Sequence, residues 1–354
     1  MSASSPHHKD FGVFLPVANG GWIVSETTPR IDGLYPQNRA AAVLADEIGL
    51  DFIMSMAKFR GFGGATDHWG TVLESVTLMA GLAEATKRVK IWATLHPLLQ
   101  NPAVAAKMIA TLDHISGGRA GLNIVAGAYR EEFAQMSAWD EALDHDDRYA
   151  LAEEWTHVVK RLWSEERVNH HGRFFNLDDC QSEPKPLSQP RPDLICAGSS
   201  ARGFAFAVAE ADACFIGGAT TEDRRDASRR AKTMAQGLGK SIRTYAMCTV
   251  IHADTDEAAQ GLAQTYADGV DLDAVRTMLR SWGAPADKLD AAALRQGAFM
   301  TETVIGSPAT CGAKIEAFVA DCELDGLMLI FPDYVAGLTM FGAEILPGLR
   351  RRFA

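Results

Sequence analysis

The constraint that most narrows the fold is an alternation: a short apolar run, then a segment of helical periodicity, repeated along nearly the whole chain. FGVFLP (11–16), DFIMSM (51–56), Val89 to His96, Ala120 to Gly127, DLICAG (193–198), ADACFIGG, IRTYAMCTVIHA and GLMLIFPD read as strands. Helices are expected at Pro36–Gly49, Glu74–Thr86, Asn101–Ile115, Arg148–Trp163, from Ser199-Ser200 through Ala209, and at Glu222–Gly237, Asp256–Ala267, Ser307–Asp321 and Val335–Arg351. About eight strand–helix units is the number that closes a parallel barrel, so the fold class expected is α/β, a (β/α)8 TIM barrel with loop insertions. No GxGxxG turn follows the first strand and no composition shift divides the chain. Both favour one barrel domain over residues 11–354, behind a disordered leader at 1–10, rather than a doubly wound open sheet.

Charge and cysteine usage exclude several function classes. A net charge of −11 repels nucleic acid and anionic membranes over most of the exterior, leaving small molecules as the expected ligands. No apolar run approaches the roughly 20 residues that span a bilayer, and MSASSPHHKD lacks the apolar centre of a secretory signal, so a cytoplasmic location is expected. Cys180, Cys196, Cys214, Cys248, Cys311 and Cys322 stand singly with no CxxC, and are expected as thiols, mostly buried.

The stretch from Ile91 to Gly127 carries the first candidate site. Its two strands each hold a small polar residue, Thr94 and Asn123, which meet at one end of the sheet if the strands are parallel neighbours. Buried polar residues of this kind also occur in ordinary cores. KFRGFGGATDHWG, after the second strand, has glycines and the cations Lys58 and Arg60 of a phosphate loop but neither nucleotide fingerprint; a flexible loop at a strand end is the simpler reading. Ser199-Ser200 follows a strand and opens a helix, so its amides and hydroxyls serve either as an N-cap or as an anion site, with Arg148, beside Tyr149, available to pair with the same anion. Residues 270–305 read as irregular, either a lid or a surface excursion.

Metal and hydrolytic chemistry are disfavoured. Among ten histidines no HExxH appears; His7-His8 lie in the leader and His170-His171 in an expected hairpin loop. Asp144-His145-Asp146-Asp147 has a metal-like composition but sits where a helix begins, where the dipole favours carboxylates. No metal is expected, and no GxSxG elbow is present.

The runs TLDHISGGRAGLNIVAG, DDRY-x-x-x-EEW, PKPL and ICAGSS resemble the bacterial-luciferase-like flavin monooxygenases over nearly the whole length. Within that superfamily SMAKFRGFGG, ESVTLMAGLA and NLDDCQSEPKP look most like the pyrimidine monooxygenases that open the uracil ring. The resemblance implies a two-component enzyme: reduced FMN supplied by a separate NAD(P)H-dependent flavin reductase, molecular oxygen as co-substrate, and a flavin-peroxide that cleaves a small polar, pyrimidine-like or amide-bearing substrate. It further implies flavin contacts from Ala57, Lys58, Asn123 and Glu132, phosphate contacts from Arg148, Tyr149, Ser199 and Ser200, an oxygen site at Thr94 and Asn123, and a homo-oligomer.

Two places depart from the pyrimidine pattern. Ala126, Gly127 and Ala128 stand where Thr or Ser followed by Gly-Trp is usual, changing the volume and donors of the pocket wall. His96 is also unlike the pyrimidine enzymes, and is read either as a substrate-facing acid or base or as a packed strand-end residue. Cleavage of a carbon–sulfur bond in a dialkylsulfone or alkanesulfonate, a deazaflavin-dependent dehydrogenase, and a flavin-binding protein without turnover are the competing readings.

Overall fold

Every expected apolar run forms a strand in the computed structural model, which describes residues 8–127, 129–198, 200–283 and 297–353. These strands are β1 (Asp10–Phe14), β2 (Phe52–Met54), β3 (Lys90–Leu95), β4 (Ala120–Ile124), β7 (Asp193–Ala197), β8 (Ala213–Phe215), β9 (Arg243–His252) and β11 (Gly326–Ile330). A further strand, β10 (Glu302–Gly306), makes a nine-stranded sheet in the order β10-β9-β11-β1-β2-β3-β4-β7-β8, and an additional β8–β9 pairing closes it into an eight-strand barrel. The fold is therefore the (β/α)8 barrel. Among the described residues no helix is long and apolar enough to cross a membrane. All six cysteines are free thiols, five of them buried.

By internal contacts the chain divides into two units. One comprises Met54–Ala57 and Glu74–Thr244. It contains β3, β4, β7 and β8 with α2 (Ser75–Ala85), α3 (Pro102–Ser116), the single turn α4 (Arg130–Ala134), α5 (His145–Ser164), α6 (Ala201–Glu210) and α7 (Thr221–Gly237). Local chemistry sets the helix bounds. The Asn101 side chain accepts from Ala103 N at 2.9 Å, Pro102 occupies the first turn of α3, and Gly117 at φ 67° ends it. Just beyond, the Arg119 guanidinium donates to the carbonyls of Ala83, Thr86, Val89 and Ser116 and to Thr86 Oγ1, all at 2.7–3.1 Å. The Asp113 carboxylate meanwhile accepts from Ala120 N, Ser188 N and Ser188 Oγ. The DHISGGR run is thus a lock that joins the ends of α2 and α3 to the starts of β3 and β4.

The expected hairpin at His170-His171 is present, but the histidines lie on its strand β5 (Val168–His171), paired with β6 (Asn176–Cys180), and not in its loop. His170 Nε2 sits 3.0 Å from Glu154 Oε1, and the same carboxylate accepts from the amides of Arg173, Phe174 and Phe175, so these residues secure the hairpin.

The other unit runs to Ile53, resumes over Lys58–Leu73 and continues from Tyr245. It holds α1 (Tyr35–Ile48), α8 (Asp256–Asp268), α9 (Leu272–Ser281), α10 (Pro308–Asp321) and the C-terminal helices. Two expectations are corrected in it. Residues 270–305 are not irregular throughout: Asp271 caps α9, which buries Ala274, Val275 and Met278, and β10 follows; 284–296 lie outside the described residues. The final helix is not continuous, because Pro347 lacks the N–H that would complete the ladder, and a π turn (Phe341–Ile345) separates α11 (Tyr334–Met340) from α12 (Leu346–Arg352).

The glycine-rich insert is packed rather than flexible. Trp69 meets Trp22 and Phe62 at centroid distances of 5.0 and 5.2 Å, and its indole N–H donates to Gly21 O. His68 is fully buried and stacked on Trp69, with neither ring nitrogen hydrogen-bonded among the described residues, and lies between two left-handed residues, Asp67 (φ 44°) and Trp69 (φ 60°). Burial pushes the His68 imidazole down to about 4, the Asp271 carboxylate opposing.

Two outcomes follow from this packing. Arg119→Lys, which cannot span five acceptors, should lower the urea-unfolding free energy by about 2 kcal/mol. Because the folded His68 stays neutral while the unfolded one takes up a proton, its contribution is complete above the unfolded pKa and is lost as pH falls from about 6.5 toward 4, on the order of 3 kcal/mol in all. Urea midpoints measured across that window should show this decline in the wild type and a flatter one in His68→Phe; equal slopes would assign the acid limb to other groups.

Candidate active site

The parallel register of β3 and β4 pairs Thr94 with Asn123, and both side chains are buried. One layer below, Trp92 pairs with Gly121, where a Cβ would lie 2.4 Å from the indole Cδ1. Glycine there lets the indole fill the space beneath the polar pair. Asn123 Nδ2 donates to Thr94 Oγ1 at 3.0 Å, and Thr94 Oγ1 donates to the carbonyl of Ser55 at 2.5 Å. The Thr94 amide donates to Ser75 Oγ, which is 2.7 Å from Ser55 Oγ. Asn123 Oδ1 is buried and has no hydrogen-bond partner among the described residues. Sequence reasoning missed Ser55 and Ser75, which stand just past β2 and at the start of α2 and carry no signal that sets them apart from other serines.

His96 stands two residues beyond Thr94. Its Nδ1 lies 3.0 Å from the carbonyl of Val125 and its Nε2 3.2 Å from that of Ala57, and its ring meets Phe133 edge-on at 5.1 Å. A neutral imidazole has one N–H, so one of these two carbonyls, at the ends of neighbouring strands, accepts it. Ala57 joins the group through this contact. Glu132 is buried on α4, next to Phe133, and Ala126 is buried just past β4. Lys58 belongs to the other unit, where its ammonium lies 4.8 Å from the Phe62 ring centroid. Ser199 and Ala128 lie outside the described residues.

A second group forms where α5 and α6 begin. Ser200 caps α6, its Oγ accepting from Gly203 N at 3.0 Å. Gly198 and Gly203 pack backbone to backbone, and a Cβ at Gly203 would lie 2.3 Å from the Tyr149 hydroxyl. Burial pushes the Tyr149 phenol up, against a hydrogen bond with Ser200 that acts in the opposite direction. Arg148 donates to Leu143 O at 2.8 Å and lies 4.9 Å over the Trp139 ring; Arg202 makes a two-pronged pair with Glu153 at 2.5 and 2.7 Å. Asn123 is in register with Ile195 of β7, so both groups belong to the C-terminal ends of adjacent strands, where barrels of this type place their chemistry.

The Asp144–Asp147 run is structural, Asp144 Oδ1 accepting from Asp147 N at 2.8 Å as the cap of α5, which begins at His145 rather than Arg148. Among the described residues His8, Asp10 and Asp51 have metal-ligand spacing. They lie at the N-terminal ends of β1 and β2, and the Arg350 guanidinium already provides a cation there, 2.8 Å from Asp51 Oδ2 and 2.9 Å from His8 Nε2.

The chain is similar to known proteins over its full length. The family model for luciferase-like monooxygenases matches residues 10–322. The pyrimidine monooxygenase RutA of Methylorubrum extorquens (strain PA1) is 38% identical over 368 residues, covering 99% of this chain and 97% of that protein. RutA of Rhizobium rhizogenes (strain K84) is 34% identical over 358 residues, covering 97% of each. Among solved structures, DmoA from Hyphomicrobium sulfonivorans shares the fold with a TM-score of 0.83 at 21% identity, covering 98% of this chain and 88% of that one. A riboflavin lyase, RcaE, solved with modified FMN and riboflavin, gives 0.86 at 21% identity, covering 98% and 92%. With a family match over most of its length and full-length relatives above one-third identity, this chain belongs to the luciferase-like monooxygenase family.

Proposed function

We propose that this monooxygenase is the oxygenating component of a two-component system: it takes reduced FMN from an NAD(P)H-dependent flavin reductase, uses molecular oxygen, and cleaves a small polar substrate of the pyrimidine or cyclic-amide class. The observation that carries the reading is the buried Thr94–Asn123 pair, with an unsatisfied carboxamide oxygen, one strand from a glycine-lined helix start. A buried acceptor left without a donor costs about 1–3 kcal/mol, which a ligand N–H would recover. The close backbone approach at Gly198 and Gly203, with Ser200 and Arg148 beside it in sequence or on α5, suits an anionic tail. These residues fit FMN.

When bound, reduced FMN supplies the electrons that activate oxygen. The protein's part is placement and exclusion. Ser200, Tyr149 and Arg148 hold the phosphate, and the buried Thr94–Asn123 pair orients polar groups at the reacting edge of the ring while keeping water out. His96, wedged between the Ala57 and Val125 carbonyls and donating its N–H to one of them, acts as a packed strand-end residue beside Thr94. Glu132 and Ala57 complete the flavin contacts. The small residue Ala126 widens the wall beside the substrate, and the chain works as a homo-oligomer.

Two measurements test this. With reduced FMN supplied by a generic reductase and labelled oxygen, uracil-like rings should give substrate-dependent product carrying the label, whereas sulfones and alkanesulfonates should not. Product only from the sulfur compounds would move the enzyme to carbon–sulfur cleavage, and no label from any compound together with tight deazaflavin binding would replace the monooxygenase reading. Arg148→Ala should weaken FMN binding about tenfold while leaving riboflavin binding nearly unchanged, as expected for loss of a charge-assisted contact to phosphate; equal losses would remove the phosphate role.

A further inference from the structure

Two opposite charges share a cleft in the unit that carries α1, and they do not meet. The cleft, of about 300 Å³, lies just past the ends of β1 and β11, which are parallel neighbours, where α1 and α11 begin. Pro16, Pro36 and Pro332 give it apolar walls. Tyr334 also lines it and is only 5% exposed. Its hydroxyl has no partner among the described residues, and burial pushes the phenol up, so this wall stays neutral. Arg30 and Asp333 are the only charged residues among the described ones that line the cleft. No ion pair joins them, and neither has another ion-pair partner among the described residues.

Local bonds hold the two charges where they are. Gln37, in the first turn of α1, accepts from Asp32 N at 2.9 Å and donates to Arg30 O at 3.1 Å. That clasp fastens the Arg30 backbone, while its guanidinium makes no hydrogen bond among the described residues. Asn38 Nδ2 donates to Pro16 O at 3.1 Å and Leu34 O at 2.9 Å, tying the same turn to the end of β1. Asp333 is held in turn by α11, its Oδ1 accepting from Ala336 N at 3.0 Å, with its other oxygen unengaged among the described residues. An arginine without an acid and an acid with one oxygen to spare, in a cleft of small-ligand size, suit a molecule charged at both ends.

We propose that this cleft binds a small dipolar molecule, its carboxylate on Arg30, its ammonium on Asp333 and an apolar body of ring size against the prolines. The guanidinium offers a carboxylate two parallel N–H donors, and the Asp333 oxygen accepts from an ammonium. A ligand with one charge alone is repelled by the group at the other end, so the pair selects molecules that carry both. None of the lining residues is among those assigned to the flavin, and the cleft adds a second ligand to the chain.

The test is calorimetric titration of the full chain with 4-(aminomethyl)benzoate, which carries both charges on one ring, and with benzoate and benzylamine, which carry one each. The wild type should bind the dipolar probe at least about tenfold more tightly than either of the others, because each lacks one charge-assisted contact. Arg30→Ala should lower the affinity for the dipolar probe to that for benzylamine. Asp333→Asn, whose amide oxygen still caps α11, should lower it to that for benzoate. Both side chains are exposed, and each variant reads a different end of the site. Absence of saturable binding at millimolar probe, or equal wild-type affinity for all three compounds, would overturn the inference. So would an affinity for the dipolar probe that neither variant changes, since the probe would then sit elsewhere.

Discussion

The site depends on one register. Strands alternate their side chains with a period of two, so slipping β3 by a single residue against β4 would put Thr94 on the opposite face from Asn123 and bring Ala93 or Leu95 to its place. Several interactions hold this alignment from below. Arg119 ties four carbonyls at the ends of α2 and α3, Asp113 accepts from the first amide of β4, and the Trp92 indole fits only over a glycine at 121. The lock is far from the chemistry and determines where the chemistry stands.

Above that base the site is built by subtraction. A buried hydroxyl, a buried carboxamide and a buried imidazole would each burden an ordinary core, and neighbouring strand ends meet most of their needs: Ser55 O takes the Thr94 proton, Thr94 Oγ1 accepts from the Asn123 amide nitrogen, and one of the Ala57 and Val125 carbonyls takes the single N–H of a neutral His96. Asn123 Oδ1 is left without a donor among the described residues. An unmet group held by such a network is a specific demand on a ligand, because its geometry is set by bonds that the ligand does not have to make. Gly198 and Gly203 work in the same spirit one strand away, where removing side chains lets backbone and Tyr149 come together.

The strands, their order of appearance and the helix starts were legible because they rest on local physics. Asn101-Pro102, Gly49 and Gly117 mark helix ends wherever they occur, and an apolar run between such marks has few alternatives to a buried strand. What escaped were elements whose signal is not local. Helix α9 is the exception, since Leu272, Val275, Met278 and Leu279 do fall at helical spacing behind the Asp271 cap. The insert around His68 reads as a loop by its glycines, yet folds around Trp69 because Trp22, from the segment after the first strand, and its own Phe62 supply the surfaces that Trp69 buries. Within the candidate site, Thr94, Asn123 and the Ser200 cap were visible as polar residues at strand ends, whereas Ser55 and Ser75 were not, since one serine among apolar residues has no distinguishing pattern.

By itself the sequence determined a parallel barrel, the strands that carry the polar pair, and, through the motifs it shares with luciferase-like monooxygenases, the family. Periodicity and capping suffice for the first two because backbone geometry restricts each residue independently of the rest of the chain. Only the tertiary structure decided what the pair does. Whether Thr94 gives or receives a proton depends on the carbonyl of Ser55, 39 residues away in sequence and 2.5 Å away in space, and hydrogen-bond direction is a property of neighbours that the chain acquires only on folding.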